Sequence, residues 1–201
     1  MKLLAIETCF GKTSVCLYVN GELFEKIESE KNRQVNSLPM LVQELFEQHK
    51  LSTKNLDGVI VNHGPGAFTG IRVGIAFAKG LVAPLEVPLY GISTLECFAF
   101  KKCVMAVQAL KEHVYFQEFD NDASAVGEAI HISITDVPAI ENLITVGVNI
   151  AGEEEHFPEM PLASNLMKRF LFKKPALLGE PMYVRPVNAV IPQNMKKILC
   201  K

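Results

Sequence analysis

Apolar and polar positions along the first hundred residues fall into short, sharply bounded blocks. Residues 2–8 hold the unbroken apolar run Leu3-Leu4-Ala5-Ile6, the pattern of a strand covered on both faces. Residues 13–19 are rich in β-branched and aromatic side chains. Asn20-Gly21 then supplies two neighbours that tolerate positive φ, and residues 23–27 return. The pattern predicts a three-stranded antiparallel meander. Over 34–49 the period changes: Leu38, Leu41, Val42, Leu45 and Phe46 recur at helical spacing, with Pro39 in the early part, where a helix tolerates it. A buried strand at 59–61, a glycine-rich loop, a helix over 67–83 and a strand at 88–92 follow. Ser93, with Glu96 three residues on, predicts a capped helix over 94–101.

The second half is patterned less sharply. Residues 104–110 and 114–119 read as paired strands and 129–134 as a third. Residues 136–143 read as one short helix, 144–150 as a strand, 152–161 as an acidic loop, 163–173 as a last helix, and 175–192 as irregular. No segment repeats at a fixed residue period. A boundary near 100–103 divides the chain into lobes 1–102 and 103–201.

Composition narrows the classes. Apolar residues make up 49% of the 201 residues and charged residues 21%, with a formal net charge of −2, so a broad electrostatic surface for nucleic acid is not expected. The local basic groups Lys168-Arg169, Lys173-Lys174 and Lys196-Lys197 read as a solvated helix face and a chain end. The five cysteines contain no C-x-x-C pair and the five histidines no H-x-x-x-H pair, so neither a disulfide framework nor a zinc site is expected; reduced thiols fit the cytosol. Glu7 ends the opening apolar run too early for a secretory signal. The stretch 71–85 is too short, and too interrupted by Arg72 and Lys79, to span a bilayer, so a cytoplasmic protein away from membranes is expected.

The segment Gly64-Pro65-Gly66-Ala67-Phe68-Thr69-Gly70-Ile71-Arg72-Val73-Gly74 follows a strand and opens a helix. Two readings stand side by side. Free N–H groups at the helix start would bind an anion, with Glu7, Thr8, Gly64, Gly66, Thr69 and Arg72 as the candidate anion or nucleotide residues. Alternatively the glycines serve a tight strand-to-helix turn. The segment is not a Walker loop, because no G-K-[ST] follows. Within the helix, Gly70, Gly74 and Ala78 form a small-residue stripe four residues apart. It admits either a partner helix or close packing on the chain's own strands, and glycines inside a helix, at about 1 kcal/mol each, need such a reason. A partner surface on the two helices is expected at Leu38, Leu41, Val42, Leu45, Gly70, Val73, Gly74, Phe77 and Ala78. No catalytic residue and no metal ligand are expected.

The same glycine segment, Ala78-Lys79-Gly80-Leu81 after it, and Pro88-Leu89-Tyr90-Gly91-Ile92-Ser93-Thr94-Leu95 resemble, in order and spacing, signature motifs of the TsaB (YeaZ) family. Leu38-Pro39 matches that family's L-L-P, and Pro181-Met182-Tyr183-Val184-Arg185 its closing P-x-Y-[LV]-R. The resemblance covers residues 1–100 specifically and thins beyond them. It implies an α/β fold of the actin/sugar-kinase/Hsp70 (ribonuclease H-like) type, with two lobes of mixed sheets flanked by helices. It also implies a non-catalytic subunit of the bacterial complex that forms N6-threonylcarbamoyladenosine at position 37 of tRNA. The partners implied are a TsaD-like catalytic paralogue and a TsaE-like ATPase, with tRNA met through the complex and a homodimer when the chain is alone. ATP and metal are then expected in the partner subunits and none in this chain. Departures from the family pattern are Glu7 where Asp is usual, Arg33-Gln34 where His-Ser is usual, and Gln108-Ala109-Leu110 where Asp-Ala-Arg is usual. Phe10 is also bulky for a phosphate hairpin. An ATPase or phosphotransferase using Glu7 and the glycine loops is the alternative the fold leaves open, and a protease finds no nucleophile–base pair in the sequence.

Overall fold

A computed structural model of the chain describes residues 1–28, 30, 33–84 and 87–184. Arg185, the rest of the irregular segment, Lys196-Lys197 and Cys200 lie outside the described residues. Strands β1 (Lys2–Glu7), β2 (Thr13–Val19) and β3 (Glu22–Glu28) form the expected meander, turning at Asn20 and Gly21 with φ of 55° and 89°. Helix α1 (Gln34–Gln48), strand β4 (Gly58–Asn62), helix α2 (Phe68–Val82) and strand β5 (Leu89–Ile92) complete a five-stranded mixed sheet of order β3-β2-β1-β4-β5.

The apolar runs of β1, β2 and β4 are continuous because both faces of this sheet are covered. Leu4, Ile6, Val15, Leu17, Val59 and Val61 face a core shared with Leu38, Val42 and Leu45 of α1 and Ile71, Ile75 and Ala78 of α2. Their neighbours Leu3, Ala5, Cys16 and Ile60 face the other way, into a core shared with the second sheet. The period of two along each strand is thus preserved, with each residue parity serving its own core.

The second sheet comprises β6 (Cys103–Gln108), β7 (His113–Phe119), β8 (Ala125–Ser133), β9 (Leu143–Val146) and β10 (Glu155–Phe157), in the order β10-β9-β6-β7-β8. It repeats the topology of the first: three antiparallel strands, then two parallel ones beside the opening strand. The repeat is one of topology and leaves no residue period. Where the first sheet has α1 and α2, the second has a 3₁₀ turn at Ile134–Asp136 and loop. Its outer face, with Val104, Ala106, Val114 and Leu143, is covered instead by Ile134, Val137, Val148 and Ile150.

Helix α3 (Ala163–Phe172) follows the second sheet but packs on β1, β2 and β4 of the first. Ala163, Leu166, Met167 and Phe170 enter the core between the sheets. No side chain of the preceding residue caps its first turn. The N–H of Ala163 donates to Ser14 Oγ at 2.8 Å, and Ser164 donates its N–H and its hydroxyl to the two carboxylate oxygens of Glu25 at 2.7 and 2.9 Å. A carboxylate from another strand therefore meets the positive end of this helix.

Four sequence expectations are corrected. The helix at 94–101 is a 3₁₀ turn at Leu95–Phe98. Both capping-box bonds form, Ser93 N–H to Glu96 Oε2 at 2.8 Å and Glu96 N–H to Ser93 Oγ at 3.2 Å, but Cys97, Phe98 and Ala99 are drawn into the core and the chain leaves as extended backbone. Residues 136–143 form no helix. The strand expected at 144–150 ends at Val146, and the acidic loop contains β10.

Candidate functional site

The C-terminal ends of β1 and β4 and the turn after β5 meet at a buried polar cluster. Glu7 is 2% exposed; its Oε1 accepts from the Cys9 N–H at 2.5 Å and its Oε2 from Asn62 Nδ2. Asn62 Nδ2 also reaches Thr94 Oγ1 at 3.0 Å, while Asn62 Oδ1 accepts from the Gly64 N–H at 2.8 Å. Thr94 in turn donates its hydroxyl to the Pro65 carbonyl at 2.7 Å and its N–H to the Gly64 carbonyl at 2.9 Å. The glycine loop is therefore held from below by two side chains, Asn62 and Thr94, with Glu7 bonded to Asn62 behind them. Burial pushes the Glu7 carboxyl up to about 7, against the downward pull of the Asn62 and Cys9 hydrogen bonds. Burial first, and then the Glu7 charge, raises the Cys9 and Cys97 thiols well above their ordinary value.

Of the candidate anion residues, Glu7, Thr8, Gly64 and Gly66 come together, but as internal fasteners. The Thr8 hydroxyl donates to the Gly70 carbonyl at 2.8 Å, and the Gly64 N–H is already bonded. Gly66 lies so close to Cys9 that a Cβ would approach the Cys9 Cβ at 2.8 Å. Thr69 and Arg72 are exposed; the Arg72 guanidinium lies 3.7 Å over the Phe68 ring and its Nε reaches Tyr183 Oη at 3.4 Å. Two loop donors, the Gly64 and Ala67 N–H groups, are thus engaged within the chain, by Asn62 Oδ1 and the Cys9 carbonyl, while Thr69 and Arg72 face solvent.

Beside the cluster, a cleft between the sheets holds a cavity of about 260 Å³ lined by Cys9, Phe10, Gly66, Leu110, Tyr115 and Met160. An adjoining recess of about 170 Å³ is lined by Glu7, Lys12, Gln108 and Glu159, and the Lys12–Glu159 ion pair spans 3.1 Å from lobe to lobe. The residues present do not fit a metal–nucleotide. Both Glu7 oxygens accept internal hydrogen bonds, and Phe10 occupies the wall where a phosphate hairpin would need small residues.

The expected partner surface separates into two sets. Leu38, Val42, Leu45, Gly70, Gly74 and Ala78 are buried in the chain's own core. A Cβ on Gly70 would overlap the Thr8 carbonyl oxygen, and one on Gly74 the Thr8 hydroxyl. The small-residue stripe thus exists because β1 and its following turn run against α2. Leu41, Val73 and Phe77 are half-buried at the rim of that core, and Arg72 and Ala76 are exposed on α2. Sequence reasoning missed Asn62, Thr94 and Tyr183 as the residues that organise this region. An amide closing a buried strand, and a threonine directly after Ser93, were the available signals.

These features define a two-lobed protein of the actin/sugar-kinase type, built from two mixed five-stranded sheets of like topology. The family model described as TsaD, tRNA N6-adenosine threonylcarbamoyltransferase, matches residues 26–175. Among curated proteins, the tRNA threonylcarbamoyladenosine biosynthesis protein TsaB of Escherichia coli (strain K12) is 31% identical over 137 residues, covering 63% of this chain and 58% of that protein. The protein of the same description from Buchnera aphidicola subsp. Schizaphis graminum is 34% identical over 126 residues, covering 58% of this chain and 60% of that protein. The matched region thus spans about three fifths of each relative's length. Among solved structures, YeaZ from Pseudomonas aeruginosa superposes with a TM-score of 0.77 at 19% identity, covering 90% of this chain and 99% of that one, which shows the shared fold. The chain belongs to the threonylcarbamoyltransferase (TsaD) family described by that model and, within it, to the TsaB (YeaZ) branch.

Proposed function

We propose that this chain is a non-catalytic subunit of the assembly that forms N6-threonylcarbamoyladenosine at position 37 of tRNA in the cytoplasm. It pairs with a TsaD-like catalytic subunit, which a TsaE-like ATPase joins. The observation that carries the reading is the engagement of Glu7 and the Gly64 N–H within the chain, which favours a structural role for these groups over the holding of a metal–nucleotide. Its relatives are described as proteins of threonylcarbamoyladenosine biosynthesis, and the outer rim of α1 and α2 offers Leu41, Val73 and Phe77 for burial.

The test is co-expression with the TsaD-like subunit. Ala76→Glu, at an exposed position on α2, is expected to abolish co-purification while leaving the melting temperature of the isolated chain unchanged. Pairing at wild-type affinity would remove the α2 surface from the interface. Threonylcarbamoyl transfer assayed with each subunit omitted in turn then checks the role; activity without this chain would refute it.

A further inference from the structure

The sequence Phe-Lys-Lys occurs twice, as Phe100-Lys101-Lys102 after the 3₁₀ turn and as Phe172-Lys173-Lys174 at the end of α3. The fold brings the two together. The rings of Phe100 and Phe172 meet edge to face with centroids 5.3 Å apart, although they are 38% and 54% exposed. The buried Arg169 lies 5.6 Å from the Phe172 ring, supporting it from the core side. Lys168 stands one helical turn before Phe172 on α3 and is exposed.

The lysines divide by role. Lys101 pairs with Glu154 at 2.6 Å, and Lys173 donates to the Asp122 carbonyl and to Ser124 Oγ, so these two fasten the patch to its neighbours. Lys102, Lys168 and Lys174 are exposed and have no ion pair among the described residues; Lys174 rests 5.1 Å from the Tyr90 ring. Two partly exposed rings, each followed two residues on by an exposed lysine with no ion pair among the described residues, offer what unpaired nucleotides require: a surface for base stacking and cations for the phosphates beside it. A membrane surface would also attract lysines, but these rings lie against each other rather than projecting as separate anchors.

We infer that the paired Phe-Lys-Lys segments form a contact surface for a single-stranded RNA loop. This deepens the function proposed above, in which the RNA is the tRNA whose anticodon loop is modified, and it rests on that reading for the identity of the RNA.

The experiment titrates the 201-residue chain, alone and co-purified with the TsaD-like subunit, into a labelled RNA hairpin carrying a seven-nucleotide loop, with fluorescence anisotropy read at 50 and 200 mM salt. Phe100→Ala with Phe172→Ala is expected to weaken binding on the order of tenfold at both salts. Lys102→Ala with Lys174→Ala is expected to weaken it roughly tenfold at low salt and to flatten the salt slope by about 1.5. Absence of hairpin binding by both the chain and the pair, or unchanged binding in both double variants, overturns the inference. So does equal affinity for a blunt RNA duplex, or tighter binding to vesicles containing phosphatidylserine. Co-purification of each variant with the TsaD-like subunit is scored separately. Its failure in the wild type sinks the proposed partnership while the hairpin result for the chain alone still stands.

Discussion

Two glycines on one face-divided helix give opposite predictions for the same substitution. At Gly70 an added Cβ would overlap the Thr8 carbonyl oxygen and come within 3.0 Å of the carbonyl carbon, both backbone atoms of a turn fixed by Glu7. Relief requires α2 to move outward, which also stretches the Thr8 hydroxyl bond to the Gly70 carbonyl. Overpacking of this kind costs about 1–3 kcal/mol and a weakened buried hydrogen bond about 1 kcal/mol, against about 1 kcal/mol gained in helix propensity. Gly70→Ala is therefore expected to destabilise the chain by about 1–3 kcal/mol. At Gly80 nothing lies within 4 Å of the added Cβ, so Gly80→Ala gains the propensity alone, about 1 kcal/mol. For a chain of this size 1 kcal/mol moves the melting temperature by roughly 2–4 °C, so the two variants should separate by about 4–16 °C. Urea and thermal unfolding followed by far-ultraviolet circular dichroism measure both. A Gly70→Ala variant as stable as Gly80→Ala would refute the reasoning, since α2 would then stand free of the Thr8 turn and its stripe would be open to another helix.

Two further outcomes test the interior. The folded-state pKa of Glu7, about 7, lies above the ordinary carboxylate value of 4.5, so the folded chain holds the extra proton between these limits. Stability should fall as pH rises from about 4.5 to 7, by about 3 kcal/mol for this group, and Glu7→Gln should flatten that slope in urea titrations at pH 5 and pH 8; an unaltered slope would place the titrating group elsewhere. Glu25→Ala should cost about 1–2 kcal/mol by uncapping α3, with Glu25→Gln losing less, in thermal melts; no loss in either would show that Ser14 alone suffices.

The first sheet was legible because each signal in it is local and strong: the Asn20-Gly21 turn, the run at Leu3 to Ile6, and the helical spacing of α1. The choice between a partner helix and the chain's own strand was not legible at Gly70 and Gly74. Close packing across 62 residues of sequence leaves the same glycines as close packing between chains. The polar cluster was half legible: Glu7 and the glycine loop stand out, but Asn62 and Thr94 acquire meaning only when β4 and β5 lie side by side. In the second sheet the signals weaken for physical reasons. β8 is an edge strand exposed along most of its first half, so no alternation marks its start at Ala125. β10 has three residues and an acidic first position. Pro138, and Asn142 at φ 58°, break the helix expected over 136–143.

The return of α3 to the first sheet sets an order on the birth of the molecule. Leu3, Ala5, Cys16 and Ile60 line a sheet face that stays uncovered until α3 and the second sheet have left the ribosome. At about 5–20 residues per second the nascent chain carries that greasy face for several seconds, during which it invites chaperones or a neighbouring nascent chain. A fragment ending near residue 102 would keep the face bare for good. The helix that closes the fold thus also ends the interval in which the chain is most prone to aggregate.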